Sequence, residues 1–309
     1  MKTNIFQPSF TLTENDLIDA HQSCPICLNE EMRHVDITIQ ETPLVKALFC
    51  HACKGLSASK IPKKEALDAY YAEYYEHNEL MVTFHNPNRF AKHILKYIDN
   101  NILKKRIRIL DFGGGDGSLS IAMADILLAR DSHANVEIDL VDYIREEIEG
   151  CLNPLITFKI HENLDTLNEP YDIILASGVI EHLTFPHTAI IKLFSLLHYE
   201  GFFYARTPFT SPFKRLYPKL DMNYPAHFHD LGASFWNRFI QTFNLDCQVV
   251  ISQPSIVETQ FSKAFMITLI ACLLKFPAYI ERFLLKQKLD MIWNYYGGWE
   301  VIFKRSGKG

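Results

Sequence analysis

The chain has 309 residues, 48% of them hydrophobic and 22% charged. That apolar content supports a buried core and excludes disorder as the general state, and the length suits one large domain or two smaller ones. With 31 Lys and Arg against 36 Asp and Glu the net charge is −5, which disfavours a globally basic nucleic-acid binder.

The opening residues, MKTNIFQPSFTLTEND, lack the apolar region of a secretory signal. The longest strongly apolar uncharged run, 264–274, is too short to span a bilayer. The expectation is a cytoplasmic, reducing setting in which clustered cysteines mean metal rather than disulfides.

Residues 1–60 hold two pairs, Cys24-Pro-Ile-Cys27 and Cys50-His-Ala-Cys53, separated by 22 residues. Each pair forms a tight knuckle presenting two thiolates, and the two together satisfy tetrahedral Zn²⁺. Closed four-cysteine coordination leaves no open position, so the expected role is structural. Gly55 just past the second knuckle suits a zinc ribbon, and His51 in place of one cysteine is the lesser variant. Cys151, Cys247 and Cys272 are scattered and read as buried.

Residues 61–100 read as helix, with Pro62 near a start and a tyrosine run at Tyr70, Tyr71, Tyr74 and Tyr75. Residues 101–252 alternate apolar runs with amphipathic ones. Strands are expected at 107–111, 136–141, 155–160, 171–176, 202–206 and 246–252, and helices at 118–130, 143–150, 187–198 and 232–242. Such β-branched, nearly continuous runs are those of buried parallel strands, and the alternation implies a doubly wound α/β sheet. Gly201 is expected to cap the helix before it. Residues 253–309 read as a helical cap closing with a strand in Trp299-Glu-Val-Ile-Phe303. Across 261–309 eight basic residues face three acidic ones. The segment 261–289 is read either as a cap over the active site or as an interfacial helix meeting lipid or a lipid-linked substrate.

The most informative stretch is Asp111-Phe-Gly113-Gly114-Gly115-Asp-Gly117-Ser118, where a strand ends and a helix begins. Glycines belong where backbone takes positive φ or lets a ligand approach. The dinucleotide template G-x-G-x-x-G, started at Gly113, puts Ser118 where its third glycine belongs. The phosphate-loop reading fails because no Gly-Lys-Ser/Thr follows.

The spacing Asp-x-Gly-x-Gly-x-Gly resembles class I S-adenosylmethionine-dependent methyltransferases, over roughly residues 70–250 plus the closing strand. The resemblance implies a Rossmann-like, doubly wound seven-stranded sheet. It also implies a cofactor site at Asp111, Gly113, Gly114, Gly115 and Gly117. Asp142, with Tyr143 beside it, would end the second strand and accept from the ribose hydroxyls, or cap the following helix. Glu162 or Asn163 would face the adenine, or form a solvated turn. Ser177 would lie beside the cofactor, and Glu181 and His182 would face the acceptor. Tyr71 and Tyr75 would close over the cofactor, or pack the ribbon on the core. Candidate bases are His182, His229, His227 and Tyr224, with Glu181 orienting or substituting. His227 and His229, alternating along an extended segment, are expected to point to one side.

The ribbon, the tyrosine segment and this core together resemble sugar C-methyltransferases, and also ribosomal-RNA guanine methyltransferases that carry a cysteine ribbon. Residues 1–60 hold five basic against seven acidic residues, which fits phosphate neutralisation poorly. The expected acceptor is therefore a small molecule (a sugar nucleotide, a natural product or a lipid-linked glycan), and nucleic acid is disfavoured.

Overall fold

A computed structural model of the chain describes residues 10–20, 22–76, 86–142, 153–211, 214, 222–255, 269, 273 and 298–307. In the first sixty or so residues lie β1 (Leu17–Asp19), β2 (Met32–Gln40), β3 (Val45–Cys50), β4 (Leu56–Ala58) and β5 (Lys60–Pro62), followed by helices α1 (Lys64–Glu76) and α2 (Pro87–Leu95). The core then runs β6 (Arg106–Phe112), α3 (Ser118–Arg130), β7 (Asn135–Val141), β8 (Ile156–His161), β9 (Tyr171–Ser177), α4 (Pro186–Ser195) and β10 (Leu197–Pro208). It closes with β11 (His229–Asp230), α5 (Ala233–Thr242), β12 (Cys247–Pro254) and β13 (Gly298–Arg305).

The apolar runs of the core strands cannot face water on either side, so they pair into one sheet with helices on both faces. Its order is β12-β13-β10-β9-β6-β7-β8, and β13 runs antiparallel to both neighbours. Phe90, Ile94, Met123 and Leu127 of α2 and α3 cover one face. Ile190 and Phe194 of α4, with Trp236 and Phe239 of α5, cover the other, where Phe239 stacks on Phe303 at 5.4 Å. The chain enters at β6, moves outward through β7 and β8, then returns to β9 on the opposite side. This reversal leaves a crevice at the carboxyl ends of β6 and β9, the usual ligand position in such sheets.

A second sheet has the order β11-β4-β3-β2, and β1 pairs with β5. Its edge strand β11 comes from residue 229 onward, with His229 opposite Ser57 and Asp230 opposite Leu56. The ribbon is thus completed by the core. Cys24, Cys50 and Cys53 lie in the same apolar cluster as Leu231 and Trp236.

Two local expectations change. The helix expected over 187–198 stops at Ser195, because Leu197 already pairs with Tyr171 in the sheet. Gly201 is no helix cap: a Cβ there would meet the carbonyl oxygens of His198, Asp172 and Tyr171 at 2.8–3.1 Å, so glycine lets three backbones crowd at a bulge. The expected helix over 143–150 and the expected cap over 256–297 lie outside the described residues, Leu269 and Leu273 excepted. Among the described residues, no helix is long and apolar enough to cross a membrane.

Candidate active site

The loop between β6 and α3 is shaped by crowding. Gly113 has φ +69°, and a Cβ there would lie 2.3 Å from Val179 Cγ2. A Cβ on Gly114 would lie 2.3 Å from Asp111 Cγ and 2.5 Å from Leu140 Cδ1. The Gly113 amide donates to Val141 O at 2.8 Å, and the Gly115 amide donates to Asp142 Oδ2 at 2.8 Å. Asp142 is therefore bound to the loop itself, at the end of β7. Gly117, at φ +67°, opens α3, and the buried Ser118 hydroxyl beside it has no hydrogen-bond partner.

Asp111 corrects one expectation. It sits beneath the loop, 2% exposed, rather than in the crevice. Burial pushes its carboxyl up to about 7, with Ser120 pulling the other way. Its carboxyl packs against Gly114 from below, where a Cβ would lie 2.5 Å from Oδ2.

The remaining cofactor candidates divide. Glu162 and Asn163 are exposed after β8. Asn163 Oδ1 accepts from the Asp165 amide at 3.0 Å, so the acceptor atom that an exocyclic amine needs is committed to a turn. Ser177 ends β9, buried beside the Tyr204 phenol. Tyr71 is partly buried and meets the Tyr70 ring edge-on at 5.3 Å; Tyr70 is fully buried and meets Phe10. With Ala66 and Leu67 packed on the ribbon's apolar cluster, α1 leans on the ribbon. The side chain of Tyr75 and all of Tyr143 lie outside the described residues.

Where the acceptor side was expected, a single 3₁₀ turn after β9 carries Glu181 and His182. Glu181 is 3% exposed, and its Oε2 has no hydrogen-bond partner. Burial pushes its carboxyl up to about 8; Arg206 works against that and Asp230 adds to it. Burial draws His182 down to about 4, although the nearby Ala226 backbone favours the charged form. His227 meets the His182 ring edge-on at 4.7 Å, and burial with that neighbour holds it well below the usual histidine range.

Two candidate bases are committed elsewhere. His229 is 4% exposed and spans Ser57 Oγ and Leu183 O, both at 2.9 Å. Because Leu183 offers a carbonyl, Nε2 donates to it and Nδ1 accepts from the serine, leaving neither nitrogen for an acceptor. Tyr224 is buried and donates its hydroxyl to Lys60 O at 3.0 Å. Both residues fasten the core to the ribbon. His227 and His229 thus share a segment but not a task.

The four cysteines converge. Cys24 Sγ lies 3.8 Å from Cys53 Sγ, Cys27 Sγ lies 3.6 Å from Cys50 Sγ, and all four sulfurs fall within 4.8 Å of one another. Bonds of about 2.3 Å to one tetrahedral ion imply S···S edges of about 3.8 Å. The two knuckles have the same build. Leu28 N–H donates to Cys24 O and Lys54 N–H to Cys50 O, with φ +63° and +64° at those donors. Positive φ therefore falls on Leu28 and Lys54, whereas Gly55 is small because a Cβ would press Ile26 Cδ1 at 2.9 Å. His51 is exposed and packs on Phe49, outside the cluster. From the core, His187 donates through Nδ1 to Ile26 O at 3.0 Å, holding the first knuckle.

A further polar cluster went unread in the sequence. Glu300 on β13 is fully buried, 2.7 Å from His93 Nε2 and 2.5 Å from Gln253 Nε2. Its one signal was a charge inside the apolar run Trp-Glu-Val-Ile-Phe.

A family model described as a methyltransferase domain matches residues 78–248. No curated protein matches the chain. Similar solved structures include a coclaurine N-methyltransferase bound to N-methylheliamine and SAH, with 18% identity, 70% of each chain covered and a TM-score of 0.41. Another is a plantazolicin methyltransferase in complex with a pentazolic desmethyl analogue and SAH, with 14% identity, 79% of this chain and 92% of that one covered, and a TM-score of 0.44. A third is a magnesium protoporphyrin IX methyltransferase from Synechocystis PCC 6803 with bound SAH, with 14% identity, 71% and 83% covered, and a TM-score of 0.42.

Proposed function

The chain belongs to the methyltransferase-domain family, and from that premise we propose that it transfers a methyl group from S-adenosylmethionine to a small-molecule acceptor. The observation that carries the reading is the glycine loop at the strand-order reversal, with the Gly115 amide anchored on Asp142. The residues suit the cofactor. Asp142, at the end of β7 and tied to the loop by the Gly115 amide, is the acid we assign to the ribose hydroxyls. The unpartnered Ser118 hydroxyl stands at the start of α3, where backbone amides favour a carboxylate such as the methionine tail. Bound there, the cofactor supplies a methyl group already made electrophilic by its sulfonium.

What remains for the chain is to align the acceptor, exclude water and take a proton. Val179, against Gly113, separates the cofactor wall from Glu181 and His182. His182 and His227 are held neutral, so each keeps a lone pair at neutral pH. The two rings meet at 4.7 Å, and either is suited to take the acceptor's proton. We assign Zn²⁺ to the four cysteines as a structural ion, consistent with their near-tetrahedral spacing. The acidic balance of residues 1–60 supports a sugar-like or other small acceptor over RNA.

Thermal unfolding of the zinc-loaded chain with S-adenosylmethionine, with its demethylated product and with NAD tests the reading. Stabilisation by the first two and not the third is expected. A folded chain indifferent to both overturns it.

A further inference from the structure

We propose that Glu181, His182 and His227 form a divalent transition-metal site on the acceptor side of the crevice, distinct from the cysteine cluster. One ligand atom from each lies within 4.8 Å of the other two. Bonds of about 2.1 Å to one ion hold neighbouring ligand atoms about 3.0–3.4 Å apart, so rotamer shifts of about an ångström would bring these three to one ion.

Three observations point to a ligand rather than to packing. Glu181 is a carboxylate buried to 3% exposure, and its Oε2 meets no donor in the protein. An atom of that kind inside a core calls for a partner. His182 and His227 stand ring edge against ring face at 4.7 Å, so that each brings one nitrogen to the same small space as the Glu181 carboxylate. The backbone also locks the two halves together: the Phe228 amide, next to His227, donates to Glu181 O at 2.8 Å.

Two imidazoles and one carboxylate leave coordination positions open on a five- or six-coordinate ion. Resting on the function proposed above, those positions would be taken by oxygens of the acceptor. The acceptor class is then a molecule with two adjacent oxygen donors, such as a vicinal diol or a hydroxy-ketone. With the His227 lone pair on the ion, the ion rather than His227 would ease loss of the acceptor's proton, by lowering the pKa of the oxygen it binds, and would fix the acceptor's approach to the methyl group.

Mn²⁺ is the probe, because carboxylate and water ligands suit it and a thiolate site does not favour it. The full-length, zinc-loaded chain is titrated with Mn²⁺ and the free ion is followed by its paramagnetic resonance signal. One Mn²⁺ per chain is expected, in addition to the ribbon's metal. Glu181→Gln, His182→Ala and His227→Ala should each weaken it by more than about tenfold, with unfolding curves showing which variants are folded. Should Glu181→Gln fail to fold, His227→Asn, at a partly exposed ring, carries the test. No bound Mn²⁺ at millimolar concentration, or undiminished binding in the folded variants, overturns the site. S-adenosylhomocysteine binding by the same samples keeps the two readings apart. Mn²⁺ without cofactor binding sinks the proposed function and leaves the metal site, and the reverse result does the opposite.

Discussion

On the side we assign to the cofactor, the groups that shape the site come from one strand–helix–strand unit: Asp111, the glycines after it, Ser118, and Asp142 at the end of the next strand. The side we assign to the acceptor is gathered from far apart. Glu181 and His182 follow β9, His227 comes some forty-five residues later, and the strand that positions His227 is paired with β4 of the ribbon. The Ala58 amide donates to Phe228 O, and the Phe228 amide donates to Glu181 O, both at 2.8 Å. A local site depends on the backbone freedom of a few residues. A gathered one depends on every element that holds its pieces in register, here including the four-cysteine ribbon.

Removing the ribbon's metal is the strongest way to break this contrast. A chelator, or Cys50→Ser, should lower the unfolding midpoint by about 10 °C or more and abolish methyl transfer. Material that stays folded should lose acceptor-side function before cofactor affinity; an unchanged midpoint would separate ribbon from core. Next in size is Gly113→Ala, where positive φ and the Val179 contact should cost about 3 kcal/mol and eliminate S-adenosylhomocysteine binding by calorimetry. Wild-type affinity there would mean the loop does not form the cofactor wall.

Asp111 gives a pH test of the same wall. Its folded-state carboxyl, near 7, lies above its ordinary 3.8. The group therefore imposes no penalty below about pH 4, and stability is lost as pH rises from there through about 7. Urea unfolding should show Asp111→Asn gaining on wild type by roughly 3 kcal/mol between pH 5 and pH 8, and a constant difference would argue against a buried, unpaired acid. Asp142→Ala should weaken S-adenosylhomocysteine by about tenfold or somewhat more, read by calorimetry. The smallest effect belongs to Tyr224→Phe, about 1 kcal/mol of stability from the lost bond to Lys60, with turnover retained. Turnover collapsing in that variant would restore Tyr224 as a base.

The contrast also explains what could be read without coordinates. The central strands β6, β7, β9 and β10 and the α3 helix were legible because buried parallel strands are continuous apolar runs, and because the glycine loop compresses its constraint into seven residues; the edge strands β8 and β12 and the antiparallel β13 showed as shorter apolar runs. The four cysteines were legible because knuckle spacing is itself the chemistry. The acceptor side was only half legible. His182, His227, His229 and Tyr224 were all named, yet nothing local distinguishes a histidine facing a crevice from one strung between Ser57 and Leu183. That distinction comes from β11 joining β4, a pairing across more than 170 residues. Asp111 was misread for a related reason: sequence shows an acid before the glycines but not the turn of chain that covers it.

The strand shared by ribbon and core also bears on how the protein could be shortened. Deleting everything before α1 would not release a minimal catalytic unit. It would bare the backbone edge of β11 and the apolar surfaces of Leu231 and Trp236, leaving a sticky flank disposed to self-association.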